Sequence, residues 1–253
     1  MNFQVVIPAR YGSTRLPGKP LREIAGRTMI EHVYRRARES GASEVIVATD
    51  DERISRVCEG FGASVMMTRP DHQSGTDRIA EVARLKGWSD EVMVVNVQGD
   101  EPGLPAQLIN QVATLLAGRS DAHIATLATP VSSLDEFMDV NAVKVVTDST
   151  GRAMYFSRAP IPWARDSAPS GLPSQTSYAG AWRHLGLYAY RVGALLKLAD
   201  AQPSPLELTE KLEQLRAMEM GMTIMVALAS CSPGQGIDTQ ADLDQVAAQW
   251  TDS

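Results

Sequence analysis

The 253-residue chain carries 24 Lys and Arg against 30 Asp and Glu, a net charge of −6, and 44% of its residues are hydrophobic. A chain of this balance can bury a sizeable core and is not built to hold nucleic acid, so an anionic ligand must be met by local positive charge. Its cysteines, Cys58 and Cys231, have neither CxxC spacing nor a nearby His cluster, which argues against structural zinc. The start lacks a signal-peptide pattern, and no apolar run approaches the roughly 18 residues a membrane helix needs. The expectation is a cytoplasmic protein without membrane insertion.

Residues 3–7 are a short apolar run that reads as a strand, broken at Pro8. The loop after it holds Arg10, Ser13, Thr14, Arg15 and Lys19, with Gly12 and Gly18 between them and no acid. From Arg10 to Arg27, five basic residues stand against one acid, Glu23. Cations, hydroxyls and free backbone amides after a strand suit a polyphosphate. The loop is not a Walker A motif, because five residues separate its glycines and Pro20 follows Lys19; nor does G-x-G-x-x-G occur here. On these residues alone a flexible basic loop is equally open.

Strands and helices then alternate. Ile30, Val33, Tyr34 and Ala37 mark a helical stripe, 44–49 a strand, and Ile54, Val57, Cys58 and Phe61 a second helix. Gly41 and Gly62 fall where those helices should end. Ile79, Val82 and Ala83 begin a third stripe, 92–97 is a strand, and Leu108, Ile109, Val112, Leu115 and Leu116 form a fourth stripe before a strand at 123–128. Alternation of short, continuously apolar strands with helices predicts an α/β fold: a Rossmann-like, three-layer α/β/α arrangement on a mostly parallel sheet. Further on, 142–147 and 152–157 read as strands joined by a turn, and 159–181 as a Pro-, Ser- and Gly-rich excursion. A strand at 184–191, one helix over 206–220, a strand at 222–229 and a helix carrying Leu243, Val246, Ala247 and Trp250 complete the chain. No linker is evident, so 1–253 reads as one domain with an inserted excursion.

Open parallel sheets bind ligands beyond the carboxyl ends of their strands. Four polar segments fall there: 8–19, 49–50, 68–78 and 98–101. Asp100 in Gln98-Gly-Asp100-Glu101 can hold Mg²⁺, or can belong to a plain turn. Asp238 is a second candidate carboxylate, or the N-cap of the last helix. Ser74, Thr76 and Arg78 can recognise a base edge or phosphate at a helix start, or form a capping segment with an exposed arginine. His184 and Tyr188 on a strand, and Glu213 and Gln214 on a helix with Glu207, Glu210 and Arg216, are of the kind that hold a polyol; a solvated helix face is the alternative.

Taken together, seven segments in order resemble the 3-deoxy-manno-octulosonate cytidylyltransferases, the CMP-Kdo synthetases. They are Pro8-Ala-Arg10 with Ser13-Thr-Arg15-Leu-Pro-Gly-Lys19-Pro, Asp71 to Arg78, Val97 to Pro102, Tyr155 to Trp163, Arg183-His184-Leu-Gly with Tyr188, Pro205-Leu-Glu with Leu212-Glu213-Gln214-Leu-Arg216, and Gly236-Ile-Asp238-Thr. The resemblance implies the nucleotide-diphospho-sugar transferase type of fold, with 159–181 as a dimerisation excursion in a homodimer. It implies CTP and the acidic sugar Kdo as substrates, Mg²⁺ as cofactor, and lipopolysaccharide assembly as the setting. By the same resemblance Arg10, Ser13, Arg15 and Lys19 hold the triphosphate. Pro8, Ala9, Ser74, Arg78 and Gln98 complete the nucleotide site, and Asp100 and Asp238 bind the metal. Gln98, Arg158, His184, Tyr188, Glu213 and Gln214 hold the sugar, and Arg10, Lys19 and Asp100 act in catalysis. Segment 166–181 carries no motif. An 8-amino analogue of Kdo is an alternative substrate. A non-catalytic nucleotide-sugar binder would not need both carboxylates, and a dehydrogenase would need the missing glycine fingerprint.

Overall fold

The computed structural model describes residues 1–12, 15–168 and 170–250. In chain order the elements are β1 (Phe3–Ala9), β2 (Glu23–Ile24), β3 (Arg27–Thr28), α1 (Met29–Arg38), β4 (Glu44–Thr49), α2 (Glu52–Gly60), β5 (Ser64–Met67), α3 (Gly75–Leu85), β6 (Met93–Asn96) and α4 (Ala106–Ala117). Then follow β7 (Ile124–Pro130), α5 (Leu134–Met138), β8 (Lys144–Thr147), β9 (Ala153–Ser157), β10 (Trp182–Arg191), α6 (Val192–Asp200), α7 (Pro205–Glu210), α8 (Glu213–Glu219), β11 (Ile224–Leu228) and α9 (Gln240–Gln249). The main sheet runs β11-β7-β10-β6-β1-β4-β5. Along it only β10 is antiparallel to its neighbours. The β8–β9 hairpin hangs from the start of β10, where Lys144 lies opposite Arg183.

Period-two alternation along β1 sets the layers. Phe3, Val5 and Ile7 pack with Ile30, Val33, Ile54, Leu108 and Val112 of α1, α2 and α4 on one face. Val6 joins Ile46, Val94, Ile79, Val82, Leu195 and Leu215 on the other. The expected mostly parallel, three-layer α/β sheet is what the chain forms. No helix among the described residues is long and apolar enough to cross a membrane.

Three local expectations need correcting. β1 does not stop at Pro8; Pro8 and Ala9 continue it against Ala48 and Thr49 of β4. Pairing with β6 ends at Val6, so the missing N–H of Pro8 costs no bond in the middle of the sheet. The single helix expected over 206–220 is two, because Lys211 takes a left-handed φ of 54° between α7 and α8. Strand β5, which the sequence reading does not include, is a four-residue edge strand, Ser64-Val-Met-Met67, that pairs only with β4, and its side chains stay partly exposed.

A small satellite core decides where the loops sit. Leu16, Ile24, Met29, Ile237 and Leu243 are buried together, with Val246 and Trp250 against them. At roughly 1.5–3 kcal/mol per fully buried aliphatic side chain, this cluster ties the loop after β1 to the segment before α9. Those two stretches carry Lys19 and Asp238.

Candidate active site

The carboxyl ends of β1, β5 and β6 open onto a cleft of about 320 Å³. Pro8 and Ala9 line it from the end of β1, Arg10, Arg15 and Lys19 from the loop that follows, Ser74 and Arg78 from the start of α3, Gln98 and Asp100 from the loop after β6, and Asp238 from the segment before α9. The walls are close: a Cβ on Gly99 would lie 3.1 Å from the Pro8 carbonyl oxygen. All ten of the expected nucleotide-site and metal residues other than Ser13 line this cleft; folding brings Ser74, Arg78, Gln98, Asp100 and Asp238 to the five from residues 8–19. Ser13 lies outside the described residues.

Lys19 is the centre of this cleft. Its ammonium donates to Asp100 Oδ2 at 2.8 Å, to Asp238 Oδ1 at 2.9 Å and to the Ile237 carbonyl at 2.9 Å. Burial works against its charge, but Asp100 and Asp238 outweigh that and raise its pKa above the ordinary lysine value. Arg15 adds a more exposed contact to Asp238 Oδ1 at 3.1 Å, of little energetic weight on its own. Asp238 is not the cap of α9. Thr239 takes that role in a capping box with Asp242, which leaves the Asp238 carboxylate free for the cleft.

The start of α3 does two jobs. Ser74 is its N-cap, in a capping box with Asp77, and its hydroxyl also donates to Glu213 at 3.3 Å. Arg78 is 4% exposed, not a surface arginine. Its guanidinium is held by the Thr68 hydroxyl and by Asp50 Oδ2 at 3.1 Å. Asp50 and Thr68 follow the ends of β4 and β5 and were invisible as partners in the sequence.

A second, smaller cavity of about 100 Å³ is lined by Thr76, Asn96, Gln98, Tyr188, Glu213 and Gln214. Gln98 is shared with the first cleft, and its amide lies 3.5 Å from the Gly186 carbonyl. Glu213 accepts from Thr76 at 2.7 Å and from Arg216 at 2.8 Å; burial raises its pKa, with Thr76 and Arg216 opposing. Asn96, whose buried carboxamide oxygen has no hydrogen-bond partner, also faces this space and went unnoticed in the sequence.

A third cavity, of about 970 Å³, carries His184, Tyr188 and Gln214, and it shares Asp100 and Asp238 with the first. The His184 and Tyr188 rings lie 5.1 Å apart. Burial holds His184 down to about 3, so it is neutral, with Nε2 3.1 Å from the Thr126 hydroxyl. In the same wall the Glu101 carboxyl is pushed up to about 7 by burial and by Asp100, with Arg183 pulling the other way. Arg158 stands apart from the other expected sugar residues. Its Nε donates to the Glu210 carbonyl at 2.6 Å and its Nη1 to the Val140 carbonyl at 2.8 Å, and it lines none of these three cavities.

A cleft lined by Arg10, Arg15 and Lys19 is thus joined through two carboxylates to a roomy polar cavity. The cytidylyltransferase family model matches residues 4–224. Fold and family thus define an enzyme of the CTP-dependent nucleotidyltransferase class. The 3-deoxy-manno-octulosonate cytidylyltransferase of Thioalkalivibrio sulfidiphilus is 53% identical, over 97% of this chain and 98% of its own. That of Hahella chejuensis is 55% identical, over 97% and 96%. A solved structure of a CMP:2-keto-3-deoxy-manno-octonic acid synthetase complexed with CTP is 40% identical and superposes with a TM-score of 0.88, covering 98% of this chain and 97% of that one. The chain belongs to the 3-deoxy-manno-octulosonate cytidylyltransferase family.

Proposed function

We propose that this protein activates Kdo with CTP, giving CMP-Kdo and pyrophosphate, by in-line attack of the sugar's anomeric hydroxyl on the α-phosphorus. The observation that carries this reading is the position of Lys19, Asp100 and Asp238. They meet where the basic cleft joins the large cavity, so a triphosphate on one side and a sugar on the other would meet at the same carboxylates.

Both substrates are anions, and their approach needs compensation. Two unit charges about 4 Å apart interact by roughly 4 kcal/mol at an effective dielectric near 20. Arg10, Arg15 and Lys19 supply positive charge along the phosphate chain and stabilise the charge that collects on the leaving pyrophosphate. Ser74, Arg78 and the backbone at Pro8 and Ala9 are assigned to the nucleoside. Gln98, lining both the cleft and the smaller cavity, holds the two substrates in register. Tyr188, Glu213, Gln214 and the neutral His184 offer hydrogen bonds to the hydroxyls of the sugar.

The donor set fits Mg²⁺. Asp100 and Asp238 both reach one ammonium, and among the described residues no group of three or more His, Cys, Asp or Glu forms a closed metal cage. Two carboxylates, with water and phosphate oxygens completing the shell, are what Mg²⁺ takes. When bound it supplies Lewis-acid neutralisation of phosphate charge.

The setting that goes with this reading is lipopolysaccharide assembly in the cytoplasm, by a homodimer with 159–181 at its interface. Trp163 and Leu172, exposed on that excursion, support the last part. The test is pyrophosphate release from CTP with Mg²⁺ and Kdo, run beside the 8-amino analogue. Release that requires Kdo is expected; none above background at saturating substrates sinks the reading, and faster release with the analogue reassigns the sugar.

A further inference from the structure

We propose that Arg183 captures the carboxylate of the sugar acid and thereby sets the preference for an acidic over a neutral sugar. The proposal rests on the reaction proposed above and assigns a group that reaction leaves without a partner. Seven carboxylates line the large cavity, among them Asp100, Glu101, Asp139 and Asp238, and Arg183 is the sole Lys or Arg among its lining residues. His184, beside it, is held neutral. An anionic sugar entering such walls is repelled unless a cation faces it. The cations of the basic cleft are needed for phosphate, and Arg158 is turned to carbonyls outside the cavity.

The geometry of Arg183 suits the task. Its backbone is fixed in β10, between Thr129 of β7 and Lys144 of β8. Its Nε lies 3.1 Å from Glu136 Oε1. Glu136 is itself fixed, its other oxygen accepting from the Ser132 amide and hydroxyl at 2.7 Å each. That arrangement holds the guanidinium from one side. No hydrogen bond among the described residues engages its terminal nitrogens, and the side chain, 37% exposed, lines the cavity. A planar fork with two free donors matches a carboxylate in a bidentate pair.

The experiment compares KM for Kdo with KM for its C1 carboxamide in wild type, Arg183→Gln and Arg183→Lys, with CTP affinity measured by calorimetry. Wild type is expected to favour the acid by about 10- to 100-fold, the range of a charged hydrogen bond. Arg183→Gln should lose most of that preference while its CTP affinity stays within about twofold of wild type. Arg183→Lys, which keeps the charge but not the fork, should fall between and carries the test if the Gln variant does not fold. A wild-type ratio near one, or a ratio unchanged in either folded variant, overturns the proposal. Turnover with an unchanged ratio removes Arg183 alone, whereas no wild-type turnover with any sugar removes the proposed reaction.

Discussion

At the proposed transfer site single side chains act through charge. Lys19 is held by two carboxylates and a carbonyl, which fix the position of its ammonium. Because charge builds on phosphate during transfer, Lys19→Ala should lower kcat by more than it weakens CTP binding. Steady-state kinetics beside calorimetry check this; weaker binding with an unchanged rate would contradict it. His184 gives a pH prediction. Its folded value, about 3, lies below the ordinary 6.5, so between those values the unfolded chain takes up a proton that the fold refuses. Stability from this group is complete above pH 6.5 and lost as pH falls toward 3. In urea titrations His184→Gln should flatten that stretch of the acid limb; an unchanged slope would mean that the imidazole is not held neutral.

At the scale of elements, the loops are aligned by packing rather than by the strands alone. Gly234 has φ +80°, and a Cβ there would lie 2.9 Å from the Gly103 carbonyl oxygen. Gly234→Ala should cost about 1–3 kcal/mol and shift the segment leading to Asp238, lowering activity beyond the loss of stability. Denaturant melts and kinetics on the same preparation check both parts. Leu16→Ala, in the satellite core, should cost about 2–5 kcal/mol and loosen the basic loop from Asp238. The repeating strands and helices were legible because β1, β4, β6 and α1 to α4 bury continuous runs or clean 3.6-residue stripes. The break at Lys211 was not, because Leu208, Leu212, Leu215 and Met218 keep helical spacing across it; yet Leu208 is 54% exposed and Leu212 is 6%. β5 is hard to read for another reason: at four residues, Ser64-Val-Met-Met67, it is too short to show a period.

For the molecule as a whole, a chain of net charge −6 gathers Arg10, Arg15, Lys19 and Arg78 at the carboxyl ends of its strands. CTP at about 100 times its Kd should add about 2.7 kcal/mol of stability, or roughly 5–10 °C in a chain of this size. Thermal melts with CTP check this, and an unmoved midpoint would argue against a nucleotide site. Part of the candidate site is readable as residue types: Lys19 and Asp100 fall in polar segments after strands, Asp238 before the last helix, and His184 and Tyr188 within one strand, though spacing alone leaves a turn, a cap or a solvated face open for several of them. Their partners are not readable. Asp50 and Thr68 around Arg78, Glu136 behind Arg183 and the unpartnered Asn96 come together only when distant strands pair, and local spacing holds no record of that. The most direct test of the central claim is Asp100→Asn, with CTP affinity and Kdo-dependent pyrophosphate release measured on one preparation. CTP affinity within a few fold of wild type is expected, with metal-dependent turnover lost. Near-normal turnover would take Asp100 out of the transfer site and overturn the metal role proposed for it.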